Sequence, residues 1–126
     1  MLPQYLLALA VTLAVEVPLV TLALAGLWRV PLRRAVTAAV AVNLATHPVL
    51  WWSLVPWTDR PWYAFAVLTA EVLACLVEFA LLARLLVTDR RLLAVLCVGV
   101  NAASLAAGLL IAGPLMASPL MAAGNA

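Results

Sequence analysis

Hydrophobic positions in this chain neither alternate nor form narrow stripes; they run almost unbroken for about twenty residues at a time, four times over. About 20 mostly apolar residues is the length at which an α-helix crosses the hydrocarbon core of a bilayer. The pattern predicts helices over 4–28, 35–54, 63–86 and 92–113. The connectors 29–34, 55–62 and 87–91 are short and hold arginine, proline or aspartate. Connectors of this length place successive helices side by side and antiparallel. The expected fold is all-α: a polytopic membrane protein with four transmembrane helices in an antiparallel bundle. It forms a single membrane domain over 1–126, with a tail at 114–126.

Composition agrees with lipid as the solvent. The chain is 68% hydrophobic and 10% charged, with a mean hydropathy of +1.19, whereas soluble domains are nearer half apolar and a quarter charged. A soluble fold of this composition would expose large apolar patches. Ala23-Leu24-Ala25 followed by Gly26 imitates a signal-peptide cleavage site. The first run nevertheless lacks a basic leader and is interrupted by Glu16 and Pro18, which argues for a retained helix.

Charge sets the direction. The basic residues are seven arginines with no lysine, gathered in connectors and not in a stripe, so nucleic-acid binding has no footprint. Arg29, Arg33 and Arg34 mark the first connector, and Arg84, Arg90 and Arg91 the third. The middle connector has only Arg60, beside Asp59. Positive loops stay cytoplasmic, so both termini are expected outside a bacterial or archaeal cell (inner) membrane. Trp51, Trp52, Trp57, Trp62 and Tyr63 bracket the middle connector as an interfacial belt. Cys75 and Cys97 lie inside apolar runs without a partner at redox or metal spacing. In the tail, Pro114-Leu115-Met116-Ala117-Ser118 is nearly repeated by Pro119-Leu120-Met121-Ala122-Ala123, and its prolines stop the helix.

The candidate chemistry is polar and intramembrane. Glu16 lies in helix 1, Asn43 and His47 in helix 2, Glu71 and Glu78 in helix 3, and Asn101 and Ser104 in helix 4. Charged groups at such depth cost several kcal/mol unless paired, neutralised or facing a wet cavity. Glu71, Cys75 and Glu78 follow i, i+4, i+7 spacing; Asn43 and His47 follow i, i+4, flanked by Thr46; Asn101, Ser104 and Gly108 follow i, i+3, i+7; and Thr12 precedes Glu16 by one turn. Each helix thus offers polar groups from one side. At about 1.5 Å per residue, Asn43, Glu78 and Asn101 fall about 12–15 Å from the arginine side and Glu16 and His47 about 18–20 Å, with Glu71 further out. Two stacked polar layers are expected. No arginine lies deep in a span, so the glutamates either stay protonated and donate hydrogen bonds, or ionise and hold a cation or exchangeable proton. Gluing the helices together is the competing role. Pro18 and Pro48 free the carbonyls of Ala14 and Leu44, which either kink the helices or add oxygen ligands. Glu16 with Asn43-Leu44-Ala45-Thr46 corresponds to Glu78 with Asn101-Ala102-Ala103-Ser104, a two-helix internal repeat of a kind found in transporters.

Glu16, the segment Asn43-Leu44-Ala45-Thr46-His47-Pro48, Glu71, Val77-Glu78 and Asn101-Ala102-Ala103-Ser104 together resemble uncharacterised small four-helix prokaryotic integral membrane proteins with an Asn-x-x-Thr-His-Pro segment. That resemblance covers nearly the whole chain and implies a shared fold and polar centre, and no activity. Tyr5, Leu9 and Glu16-Val17 resemble, in architecture only, the first helix of small multidrug resistance transporters. The extra glutamates, the histidine and the missing glycine and tryptophan signatures depart from that family.

Enzyme motifs are missing: there is no P-loop, nucleophile elbow or HExxH segment, and one histidine is few for a membrane metalloprotease. Glu16, His47, Glu71 and Glu78 are the set from which a carboxylate–histidine metal site could be built; no cofactor is implied. The sequence reading favours an oligomeric transporter or channel for protons, metal ions or small cations, acting through buried glutamates. The alternatives are an accessory or assembly subunit of a larger membrane complex, and an intramembrane enzyme. The expected partners are membrane lipid and either further copies of the chain or a membrane subunit.

Overall fold

A computed structural model describes residues 2–86 and 89–112, and the tail repeat lies outside them. It is all-helical. The elements are α1 (Leu2–Leu27), α2 (Leu32–Leu54), a 3-10 turn (Val55–Trp57), α3 (Tyr63–Leu85), α4 (Arg90–Ala107) and a π-helical turn (Gly108–Ala112). All four helices are long and apolar enough to cross a membrane.

The breaks fall where the backbone requires them, which is not where the apolar runs end. α2 begins at Leu32, directly after Pro31, so Arg33 and Arg34 stand in its first turn and not in a connector. α4 begins at Arg90 because Asp89 caps it, its Oδ1 accepting from the Arg91 and Leu92 N–H groups at 3.1 Å. Such a cap satisfies donors that the first turn leaves unpaired. Arg29 takes a left-handed conformation (φ 52°) at the end of α1, and the Val30 N–H turns back to the Leu24 carbonyl at 3.1 Å. Across the bundle, Arg34 Nη2 donates to the Leu85 carbonyl at 3.2 Å, meeting one of the carbonyls that the end of α3 leaves unpaired.

α1 packs against α2 and α4, and α3 packs against the same two, closing a four-helix ring. One continuous core joins Val20 and Leu24 with Ala35, Ala39 and Val42, Leu82, and Leu93, Cys97 and Val100. Leu24, Ala35 and Leu93 are wholly buried. Small side chains at Ala35 and Ala39 let the backbones approach closely, so the bundle is sealed toward the end that carries the arginines.

The rest of the burial pattern is inverted relative to a soluble protein. Leu22, Leu44, Leu68, Val72, Leu76, Val95 and Val98 point outward, while Glu16, Asn43, Thr46, Glu78, Asn101 and Ser104 are buried.

Candidate functional site

Each helix contributes to one polar centre. On α1, Glu16 shares a buried face with Val20 and Leu24; on α2, Asn43 and Thr46 continue the face of Ala35 and Ala39. On α4, Asn101 and Ser104 continue that of Leu93, Cys97 and Val100. The buried line of α3 is Ala70, Ala74, Glu78 and Leu82, at steps of four. Glu71 and Cys75, grouped with Glu78 by sequence spacing, instead lie at the edge of that face, half-buried on the side of α4.

Glu78 is held on both oxygens. Asn101 Nδ2 donates to its Oε2 at 2.7 Å, and the Thr46 hydroxyl meets its Oε1 at 3.1 Å. Asn101 Nδ2 also donates to the Cys97 carbonyl one turn back, at 3.0 Å. Glu78 therefore takes an amide from α4 and a hydroxyl from α2.

Glu16 has the corresponding neighbours, the Asn43 amide from α2 and the Ser104 hydroxyl from α4. Asn43 Nδ2 likewise donates to the carbonyl one turn back, that of Ala39, at 3.0 Å. Here the likeness stops. Glu16 Oε2 and Asn43 Oδ1 are buried without a hydrogen-bond partner among the described residues, so Glu16, unlike Glu78, is not held on both oxygens. Glu16 is 3% exposed and Asn43 2%, so water at the outer surface does not satisfy them.

Space lies where the bonds are missing. A cavity of about 20 Å³ is bounded by Glu16, Asn43, Thr46, His47, Glu71, Glu78, Asn101 and Ser104. That is room for about one water-sized group. Thr12, His47, Leu50, Glu71 and Ser104 also border a larger vestibule of about 380 Å³, which extends past Trp51 and Leu54 to Val55, Thr58 and Tyr63 beside the middle connector. The polar centre is thus approached from the tryptophan end and closed off by the apolar core at the arginine end. Glu71 borders a third space as well, an apolar groove of about 280 Å³ between α3 and α4.

All seven sequence-predicted residues (Glu16, Asn43, His47, Glu71, Glu78, Asn101 and Ser104) line the small cavity. Three further expectations need revision. Ala14 is exposed and Leu44 faces outward; neither lines the cavity, so the proline-freed carbonyls add no ligand there. Among the described residues, no three His, Cys, Asp or Glu side chains converge closely enough to hold a metal ion, so Glu16, His47, Glu71 and Glu78 do not form the metal set. Thr46, placed by sequence only beside the active face, is a direct partner of Glu78.

Tyr5, outside the predicted set, packs on the His47 and Trp51 rings, each with centroids 5.7 Å apart. Its signal was the spacing Tyr5, Thr12, Glu16, which keeps all three on one helical face. The buried Trp51 Nε1 and His47 Nδ1 atoms lack partners among the described residues. No family model, no curated protein and no solved structure matches this chain.

Proposed function

We propose that this chain is an integral membrane protein whose four helices cross the bilayer antiparallel, with the arginine end cytoplasmic and both termini outside. We further propose that it transports protons or small cations as an oligomer, with Glu16 as the coupling group. The reading rests on one observation: Glu16 lines a small buried cavity that shares Thr12, His47, Leu50, Glu71 and Ser104 with the vestibule, and one of its carboxyl oxygens has no partner among the described residues. No arginine lies within reach in the cavity lining. A carboxyl so placed exchanges a proton or a cation, because nothing in the protein permanently occupies its acceptor oxygen.

The contrast with Glu78 divides the labour. Glu78 is fully engaged and holds α2, α3 and α4 together; Glu16 is free to act. The matched surroundings of the two glutamates support a two-helix repeat, with an asparagine from its own half and a hydroxyl from the other half beside each carboxyl. Among the described residues the apolar core closes the arginine end of a single copy, which favours an oligomer.

The test is flux in proteoliposomes. Wild-type protein is expected to move protons or monovalent cations down an imposed gradient. Glu16→Gln is expected to keep its melting temperature and lose flux, since glutamine preserves volume but cannot ionise. Full flux in Glu16→Gln refutes the coupling role. Absence of any flux in the wild type, with a partner protein retained on extraction in mild detergent, refutes transport in favour of an accessory subunit.

A further inference from the structure

We infer that the site takes a primary organic amine: an alkyl- or arylalkyl-ammonium whose –NH3+ group enters the small cavity beside Glu16 while its apolar body fills the vestibule. The inference rests on the transport reading for its biological direction and on the shape of the two cavities for its chemistry.

The two spaces differ in kind. The inner one holds about one water-sized group, at about 20 Å³, and is ringed by carboxyl, amide and hydroxyl groups. The outer one, at about 380 Å³, is within the roughly 300–1,000 Å³ of small-molecule sites and is walled mainly by apolar and aromatic side chains such as Leu50, Trp51, Leu54, Val67 and Leu105. A bare or hydrated inorganic ion matches only the inner space, since the vestibule walls offer few oxygens to replace a hydration shell. An amphiphile with a small cationic head and an apolar body matches both.

Charge and hydrogen bonding narrow the head group. The lining contains carboxyl groups and no arginine, so an anion is repelled. Of the atoms in the inner space without a partner among the described residues, Glu16 Oε2 and Asn43 Oδ1 are acceptors and His47 Nδ1 donates or accepts with its tautomer; a carboxylate accepts more strongly from a charged donor. The head must therefore donate. A primary ammonium has three N–H donors in a compact group. A trimethylammonium has none, and its methyl groups overfill the inner space. Glu78 shows the geometry a donor gives at the matching position: there an amide N–H sits 2.7 Å from the carboxyl oxygen. Glu16 Oε2 has no such donor in place among the described residues, and the small cavity lies beside it. Trp51 flanks the body of the guest, held by Tyr5 at 5.7 Å, and supplies an aromatic wall.

The experiment uses the purified full chain in mild detergent, titrated with 2-phenylethylammonium, its N,N,N-trimethyl derivative and 2-phenylethanol. Binding is read by calorimetry and by tryptophan emission, with Trp51→Phe identifying the reporting residue. The primary amine is expected to bind saturably, and the other two at least about tenfold more weakly, the equivalent of one lost charged hydrogen bond. Glu16→Gln is expected to weaken the amine by about 10–100-fold with little change in melting temperature. Equal binding of the amine and its trimethyl derivative overturns the assignment, as does equal binding of the alcohol; neither needs a variant to fold. Loss of amine binding alongside Glu16-dependent flux of inorganic cations removes the amine and leaves transport standing. Selective amine binding without flux supports the site and removes transport.

Discussion

Asn101→Leu probes the most tightly bonded contact in the polar centre. Asn101 Nδ2 lies 2.7 Å from Glu78 Oε2, and both side chains are 6% exposed. Leucine fills a similar volume but donates nothing, so the carboxyl oxygen stays buried without its partner. Leaving such a group unsatisfied costs about 1–3 kcal/mol, a fall of roughly 3–15 °C in melting temperature. The Cys97 carbonyl loses only a supplementary donor and adds little. Asn43→Leu is the matched control: the Asn43 Nδ2 bond at 3.0 Å goes to Ala39 in its own helix and its Oδ1 has no partner among the described residues, so the loss is expected to stay under about 1 kcal/mol. In a Glu78→Met background, Asn101→Leu should cost less than in the wild type, because an apolar pair has no unsatisfied atom. The assay is thermal unfolding in mild detergent followed by tryptophan emission, with the double-mutant cycle giving the coupling. Equal melting of Asn101→Leu and wild type, or a larger loss in Asn43→Leu, would refute the division between an engaged Glu78 and a free Glu16.

Two further predictions concern the ends of the bundle. With Cys75 and Cys97 replaced by alanine, a cysteine at Arg33 or Arg90 is expected to be labelled only from the cytoplasm and one at Asp59 only from outside; labelling of Asp59 from the cytoplasm reverses the orientation. Arg29→Gly should raise the melting temperature by a few degrees, since the left-handed conformation at φ 52° costs a residue with a Cβ about 1–2 kcal/mol. A lower melting temperature would mean that the arginine side chain contributes more than its backbone costs.

The four helices and the convergence of their polar residues were legible because apolar length and helical spacing are properties of the chain itself. The helix starts at α2 and α4 were misplaced for a physical reason. Counting apolar residues stops at the first charge, whereas the backbone stays helical until a proline or a cap such as Pro31 or Asp89 intervenes. Spacing also names a face without fixing the rotation of one helix against the next. It grouped Glu71 with Glu78, although packing places Ala70 and Ala74 in line with Glu78 and turns Glu71 to the edge. Which glutamate is bonded depends on how the helices dock, which residue counting in steps of about 1.5 Å does not resolve. Tyr5 packing on His47 and the vestibule behind it arise only once α1 and α2 are docked.

That asymmetry between two matched glutamates bears on how so small a bundle keeps both a fold and a site. Closing the Asn43 amide onto Glu16, as Asn101 closes onto Glu78, would satisfy the buried Glu16 Oε2 and stabilise the bundle. It would also remove the cavity and leave no acceptor for a guest. The chain instead places its close packing at the other end, where Leu24, Ala35, Ala39, Leu82 and Leu93 form an apolar core and only the neighbouring Thr21 hydroxyl is buried without a partner among the described residues. Unsatisfied groups are tolerated in a native state when the surrounding packing is stable enough to hold them, and they concentrate where something binds. Substitutions that pull Asn43 toward Glu16 should therefore raise stability as they lower binding, whereas substitutions in the apolar core should lower stability and leave the preference among guests unchanged.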